Sequence, residues 1–74
     1  MIPDPRTLIA AALDCASESI DADSRLGHHP AWDSVGHLGV MLALEQHYGI
    51  AISDETIRRY DSLEAIAALY RSMV

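Results

Sequence analysis

Two Asp-Ser pairs of this 74-residue chain stand at predicted helix starts and place a nucleophilic hydroxyl beside a carboxylate. Ser34 follows Asp33 in WDSVGHLGV, and Ser62 follows Asp61 in YDSLEAIAAL. Serine and aspartate also cap helices, so each pair is either chemical or structural. At the second pair, Asp61 and Glu64 have the spacing of a capping box, which predicts a helix start whose amides are already satisfied.

The first pair is predicted to be different. Asp33 can cap the helix that follows it, but three residues later stands Gly36, which has no side chain to reach back. Unoccupied amides at a helix N-terminus favour an anion such as a phosphate group. Ser34 therefore lies where a phosphoester is tolerated.

Other reactive side chains do not form a recognisable site. His28 and His29 are adjacent and His37 and His47 are ten residues apart, so neither spacing is that of a zinc site. We interpret all four as solvated surface residues and predict no metal.

Cys15, the only cysteine, has small or apolar neighbours and is predicted to be a buried small hydrophobe of the first helix. A single cysteine also indicates a protein of a reducing compartment. Without an acid–base pair, a nucleophile elbow or a phosphate loop, we predict no enzyme.

The charge balance narrows the class of partner. Eleven acidic residues against five basic ones give a net charge of −6. Nucleic acid is thereby disfavoured, because its phosphates require a basic patch. The N-terminal segment has acids on both sides of a short apolar run, which is neither a secretory signal nor a membrane span. We expect a cytoplasmic protein that does not bind membranes.

Helical periodicity and caps predict four helices and no strand. The first starts at Asp4 and Pro5 and reaches about residue 19; a long polar loop then runs from 21 to 33. The second extends from about Ser34 to Tyr48 and is ended by a glycine; a short third lies in SDETIRR, and the last begins at Asp61. The predicted fold is all-α: one domain, residues 1–74, forming a small antiparallel bundle of three main helices plus a short one.

The second helix is apolar over more than half its circumference. A helical projection groups Val35, Leu38 and Leu42 with the apolar arc and leaves an outward strip of small residues, Gly36, Gly39 and Ala43. Each glycine lowers the stability of the helix by about 0.5–1 kcal/mol relative to alanine. Either a partner approaches this strip closely, or another element of the same chain packs over it. The predicted core includes Leu38, Met41, Leu42, Ile57, Leu63 and Ile66, with Trp32 anchoring the loop.

The run WDSVGHLGVMLALEQHYGIAISDETIRRYDSLEAI resembles the acyl carrier proteins. Their signature is Asp-Ser-Leu at the start of the second helix, then an Ala-Leu-Glu stretch, an aromatic residue and a short acidic third helix. The resemblance implies that Ser34 carries 4′-phosphopantetheine, donated from coenzyme A by a phosphopantetheinyl transferase, with Asp33 as the flanking motif residue. It also implies a monomeric, freestanding, non-catalytic carrier that holds acyl or aminoacyl thioesters. A loading ligase or transferase and downstream biosynthetic enzymes are then its partners.

The chain departs from the family pattern on the second helix. Val35 replaces the usual leucine, and Gly36, Gly39, Gln46 and His47 stand where fatty-acid carriers often have acids. We therefore predict specialised biosynthesis of the polyketide or nonribosomal type. Partners are expected to dock by close, weakly salt-dependent contact. The residues predicted to bind them are Val35, Gly36, Gly39, Ala43 and Ile57. The alternative is an unmodified helical module that only binds a partner protein.

Overall fold

Four helices account for the regular structure of residues 2–74, the part of the chain described by the computed structural model. They confirm the predicted all-α bundle of three longer helices and a short one. Within those residues there is no β-strand, and no helix is both long and apolar enough to cross a membrane. The helices are α1 (Pro5–Leu13), α2 (Ser34–Tyr48), α3 (Asp54–Arg59) and α4 (Leu63–Met73).

Helix α1 is shorter than its apolar periodicity predicted. It ends at Leu13, where Asp14 adopts a left-handed conformation with φ of 54°. The segment that follows is rich in Ser and Asp, which compete with the helical backbone for hydrogen bonds. A 3-10 turn at Ser17–Ser19 takes its place and leads to Ile20, which is fully buried. Cys15 consequently lies beyond α1 and is half-buried against the core.

Helix α2 has the predicted bounds. At its start the Asp33 carboxylate accepts a hydrogen bond from the Gly36 amide at 2.8 Å. At its end Gly49 has φ of 72°, a left-handed conformation that glycine adopts without steric cost. At α1, by contrast, Asp4 makes no side-chain capping bond, and Pro5 alone marks the start.

The last helix begins differently from the prediction. Its cap is Ser62, whose hydroxyl accepts from the Ala65 amide at 3.1 Å, and the predicted capping box of Asp61 and Glu64 does not form. The reason is tertiary, because the Asp61 carbonyl accepts from the Leu26 amide at 2.8 Å. This bond ties the long loop to the start of α4 and shifts the cap by one residue. The short helix α3 lies within the predicted segment SDETIRR, and it begins with a capping box between Ser53 and Thr56.

The core lies where α1 packs against α2 and α4. Met41 and Ile66 are fully buried as predicted, whereas Ile57 and Leu63 are only half-buried. Tyr48, also buried, donates a hydrogen bond to the Pro3 carbonyl at 2.8 Å, and burial raises its pKa to about 12. The buried apolar side chains are Leu8, Ile9, Ala10, Leu13, Ile20, Trp32, Val40, Met41, Leu44, Tyr48 and Ile66.

The glycines of α2 face α1, so the predicted outward strip is wrong. A methyl group on Gly36 would overlap the Ala31 carbonyl oxygen and lie 2.9 Å from Leu13 Cδ2. A methyl group on Gly39 would lie 3.1 Å from the carbonyl oxygen of Ala12. The small residues therefore let the α2 backbone approach α1 and the preceding loop closely. Packing within the chain, not a partner, explains both glycines.

Candidate functional site

Ser34 is the first residue of α2 and its side chain is exposed. The preceding Asp33 occupies the Gly36 amide through its carboxylate. The amides of Ser34 and Val35 make no hydrogen bond to any of residues 2–74. Two free N–H groups at the positive end of a fifteen-residue helix suit an anion bound through the Ser34 hydroxyl.

The structure does not activate Ser34 as a nucleophile. Within residues 2–74 its hydroxyl has no hydrogen bond to an imidazole or a carboxylate. The histidine one turn further along α2, His37, uses both ring nitrogens elsewhere. Nucleophilic catalysis by serine needs an adjacent base, and this hydroxyl has none among residues 2–74.

His37 is buried, which contradicts its interpretation as a surface residue. Only 3% of it is exposed, and its Nδ1 accepts from Trp32 Nε1 at 2.9 Å. Its Nε2 lies 2.7 Å from the carbonyl oxygen of Ile57 in α3. The anchor role predicted for Trp32 is confirmed, since the indole is fully buried. The sequence signal for His37 was the indole itself, because a buried Trp N–H needs an acceptor.

A second serine lies beside a histidine, but their hydrogen bonds do not form a catalytic pair. His29 Nδ1 accepts from the Ala31 amide at 3.0 Å, so Nε2 carries the proton and donates to Ser19 Oγ at 3.0 Å. Ser19 in turn donates to the Ala16 carbonyl at 2.7 Å. The imidazole is thus a donor to this hydroxyl and not a base for it. Among residues 2–74, no group of three or more His, Cys, Asp or Glu side chains is arranged to hold a metal ion.

Three apolar side chains of α2 point into solvent beside Ser34. Val35 is 77% exposed, Leu38 56% and Leu42 57%; we call them the outer strip. Val35 was a predicted partner-binding residue, whereas Leu38 and Leu42 were predicted to be core, and that prediction is wrong. Periodicity missed them because apolar residues cover more than half the circumference of α2, so the pattern does not say which part of that arc is buried.

The other residues predicted to bind partners occupy less accessible positions. Gly36 and Gly39 are covered by α1 and the loop before α2. Ala43 lines an apolar groove between α1 and α2, on a different side of the helix from the outer strip. Ile57 is half-buried in α3 and lies next to His37 through its carbonyl. Only Val35 of this set is freely presented to a partner.

A small helical bundle that exposes an unactivated serine at the start of a helix is the arrangement expected of a carrier protein. The family model described as "Phosphopantetheine attachment site" matches residues 6–70. The chain therefore belongs to the phosphopantetheine-binding carrier family, and its cofactor is covalently attached 4′-phosphopantetheine. No curated protein sequence matches the chain significantly. Carriers of this family are generally non-catalytic and work with a phosphopantetheinyl transferase and biosynthetic enzymes.

The residues at the start of α2 fit this group. Ser34 offers an exposed hydroxyl for the phosphodiester, and the free amides of Ser34 and Val35 lie at the end of the helix that favours its negative charge. The absence of an acid in the first turn of α2 removes a source of repulsion. When attached, the group would supply a terminal thiol, whose chemistry allows thioester formation.

Proposed function

We propose that Ser34 is the attachment residue and that the protein presents tethered acyl or aminoacyl groups to partner enzymes. The observation that supports this most directly is the exposed Ser34 hydroxyl at a helix start with two free amides and no internal base. Such a hydroxyl suits a substrate of a transferase better than a catalyst. Tethering then raises the effective concentration of the bound group at the partner's active site.

Coenzyme A is the donor in the attachment step. The Ser34 oxygen forms a bond to the phosphorus that carries the pantetheine, and the pyrophosphate P–O bond of coenzyme A breaks. Adenosine 3′,5′-bisphosphate leaves, and the serine proton passes to a base of the transferase. Asp33 is committed to the Gly36 amide, so its role here is to hold the start of α2.

The test is an intact-mass measurement. The purified wild-type chain is incubated with coenzyme A and a broad-specificity phosphopantetheinyl transferase, and the modified peptide is then fragmented. We expect a gain of one phosphopantetheine group, located on Ser34. No gain with a folded protein and a transferase active on a control carrier would contradict the proposal. It would leave the alternative, an unmodified module that binds partners through the outer strip.

The outer strip supports docking by apolar contact. Glu45 is the only acid in α2, and Val35, Leu38 and Leu42 are the large side chains exposed next to Ser34. Contacts of this kind depend weakly on salt, unlike pairing between acidic carriers and basic partners. We propose, with this apolar strip as support, that the protein acts in specialised biosynthesis of the polyketide or nonribosomal type. Partners there include a loading ligase or transferase.

Leu38→Asp is expected to raise the KM for the transferase about tenfold with little change in kcat, because burying a leucine at an interface contributes about 1.5–3 kcal/mol. Stability should change little, since Leu38 is more than half exposed. Steady-state kinetics at two salt concentrations measure both the effect and its salt dependence.

Ala68→Asp, which adds the same charge at an exposed position of α4, is the matched control. Equal KM values for the two variants would rule out docking through the outer strip. A steep loss of affinity with salt in the wild type would instead indicate an electrostatic interface.

A further inference from the structure

The imidazole of His37 joins two parts of the chain in a single hydrogen-bonded series, which is buried at Trp32 and partly buried at Ile57. An indole nitrogen can only donate, so Trp32 Nε1 donates to His37 Nδ1 at 2.9 Å. Nδ1 is then the acceptor, and Nε2 carries the proton that it donates to the Ile57 carbonyl at 2.7 Å. Only one tautomer of neutral imidazole satisfies both partners.

Each end of this series gives a hydrogen-bond partner to a group that has no other partner in residues 2–74. Trp32 is fully buried, and His37 is the acceptor for its N–H. Ile57 lies in the last turn of α3, which ends at Arg59, so its carbonyl has no partner within the helix. Polar groups that are shielded from water and left without partners are costly, and the His37 side chain is the partner of both the buried indole N–H and the partly buried carbonyl.

Helix α3 is otherwise weakly attached to the bundle. It has six residues, none of them fully buried. Its remaining hydrogen bonds stay within residues 51–60, as in the capping bonds between Ser53 and Thr56 and the bond from Thr56 to the Ala51 carbonyl. Within residues 2–74, the bond from His37 to Ile57 is therefore the hydrogen bond that ties α3 to α2.

His37 also lies close to the attachment serine. It follows Ser34 by three residues, about 4.5 Å along the helix axis. Trp32 precedes Ser34 by two residues. The last turn of α3 is thus bonded to a residue that lies within one helical turn of Ser34, and an enzyme that binds around that serine would lie near both elements.

We infer that His37 is a positioning residue that holds the Trp32–Ser34 segment and α3 together as one docking surface around Ser34. The docking role rests on the proposed function, whereas the tether between α3 and α2 stands on the hydrogen bonds alone. Removing the bond to Ile57 should loosen α3 and weaken enzyme binding. It should not slow the chemical step, because both ring nitrogens of His37 are bonded elsewhere and neither bonds to Ser34.

Two variants separate the two halves of the series. The side-chain oxygen of asparagine is as many bonds from Cβ as Nδ1 is, so His37→Asn retains an acceptor for Trp32 and loses the donor to Ile57. The side-chain nitrogen of glutamine matches Nε2, so His37→Gln retains the donor to Ile57 and loses the acceptor for Trp32. The two variants are otherwise matched amides.

The experiment combines amide hydrogen exchange by NMR with transferase kinetics. In His37→Asn we expect α3 amides to exchange about tenfold faster, with an unchanged Trp32 indole N–H signal. The KM for the transferase should rise severalfold at constant kcat. In His37→Gln the indole signal should shift, while α3 exchange and KM stay near the wild-type values.

Unchanged α3 exchange in His37→Asn would overturn the tether. Faster exchange with an unchanged KM would overturn the docking role. Nitrogen chemical shifts of the wild-type imidazole give a test that needs no variant to fold: the Nε2–H tautomer is expected, and the Nδ1–H tautomer would refute the inference. A wild-type chain that accepts no phosphopantetheine would refute the proposed function and the docking role with it, while α3 exchange would still decide the tether.

Discussion

Ser34→Ala should gain no phosphopantetheine, and Ser62→Ala should gain one group as the wild type does. The two serines follow aspartates in the same way, but they differ in what their hydroxyls do. Ser34 Oγ is exposed and makes no hydrogen bond within residues 2–74. Ser62 Oγ is half-buried and accepts from the Ala65 amide at 3.1 Å. Intact mass after incubation with coenzyme A and transferase measures the difference.

Stability supplies the complementary control for this pair. Loss of a serine cap costs about 1 kcal/mol, so Ser62→Ala should unfold at a lower denaturant concentration than the wild type. Ser34→Ala should unfold near the wild-type midpoint, because Asp33 and not Ser34 caps α2. A mass gain in Ser34→Ala would transfer the attachment role to another residue. Failure of both variants to gain a phosphopantetheine group would indicate a general defect in folding.

Gly36→Ala should destabilise the bundle by about 3 kcal/mol, the upper part of the range for overpacking. The added methyl group meets the Ala31 carbonyl oxygen, which belongs to the backbone and cannot rotate away. For 74 residues the whole free energy of unfolding is about 4–11 kcal/mol, so this loss is a large fraction. Thermal denaturation should show a Tm lower by about 12 °C or more.

Gly39→Ala is the matched control in the same helix. Its methyl group would lie 3.1 Å from the Ala12 carbonyl oxygen, a contact relieved by a small shift. The gain in helix propensity, about 1 kcal/mol, offsets that strain. We expect its Tm within about 5 °C of the wild type. Equal and small effects at both positions would show that α2 does not need the close approach at Gly36.

Local signals in the sequence were sufficient where a residue's role depends on its immediate neighbours. The bounds of α2 follow from Asp33 and Gly49, and the short helix α3 from a serine cap and first-turn acids. Trp32 was identified as the anchor of the loop because a large indole in a polar segment has to be buried. The exposed position of Ser34 also followed from its place at a helix start.

Tertiary contacts decided the rest. Helix α2 is apolar over more than half its circumference, so only the approach of α1 shows that Gly36 and Gly39 face inward and Leu38 faces solvent. The end of α1 at Leu13 depends on where the loop must turn to bury Ile20. Neither the face of α2 that α1 covers nor the end of α1 can be read from a hydrophobic period of 3.6 residues.

Burial of the single indole has a practical optical consequence. Trp32 is the only tryptophan, it is fully shielded from water, and it stands two residues before Ser34. Its fluorescence emission should therefore shift to longer wavelength when this part of the chain opens, without any added label. Unfolding curves and stopped-flow mixing with partner enzymes can be followed by the fluorescence of Trp32.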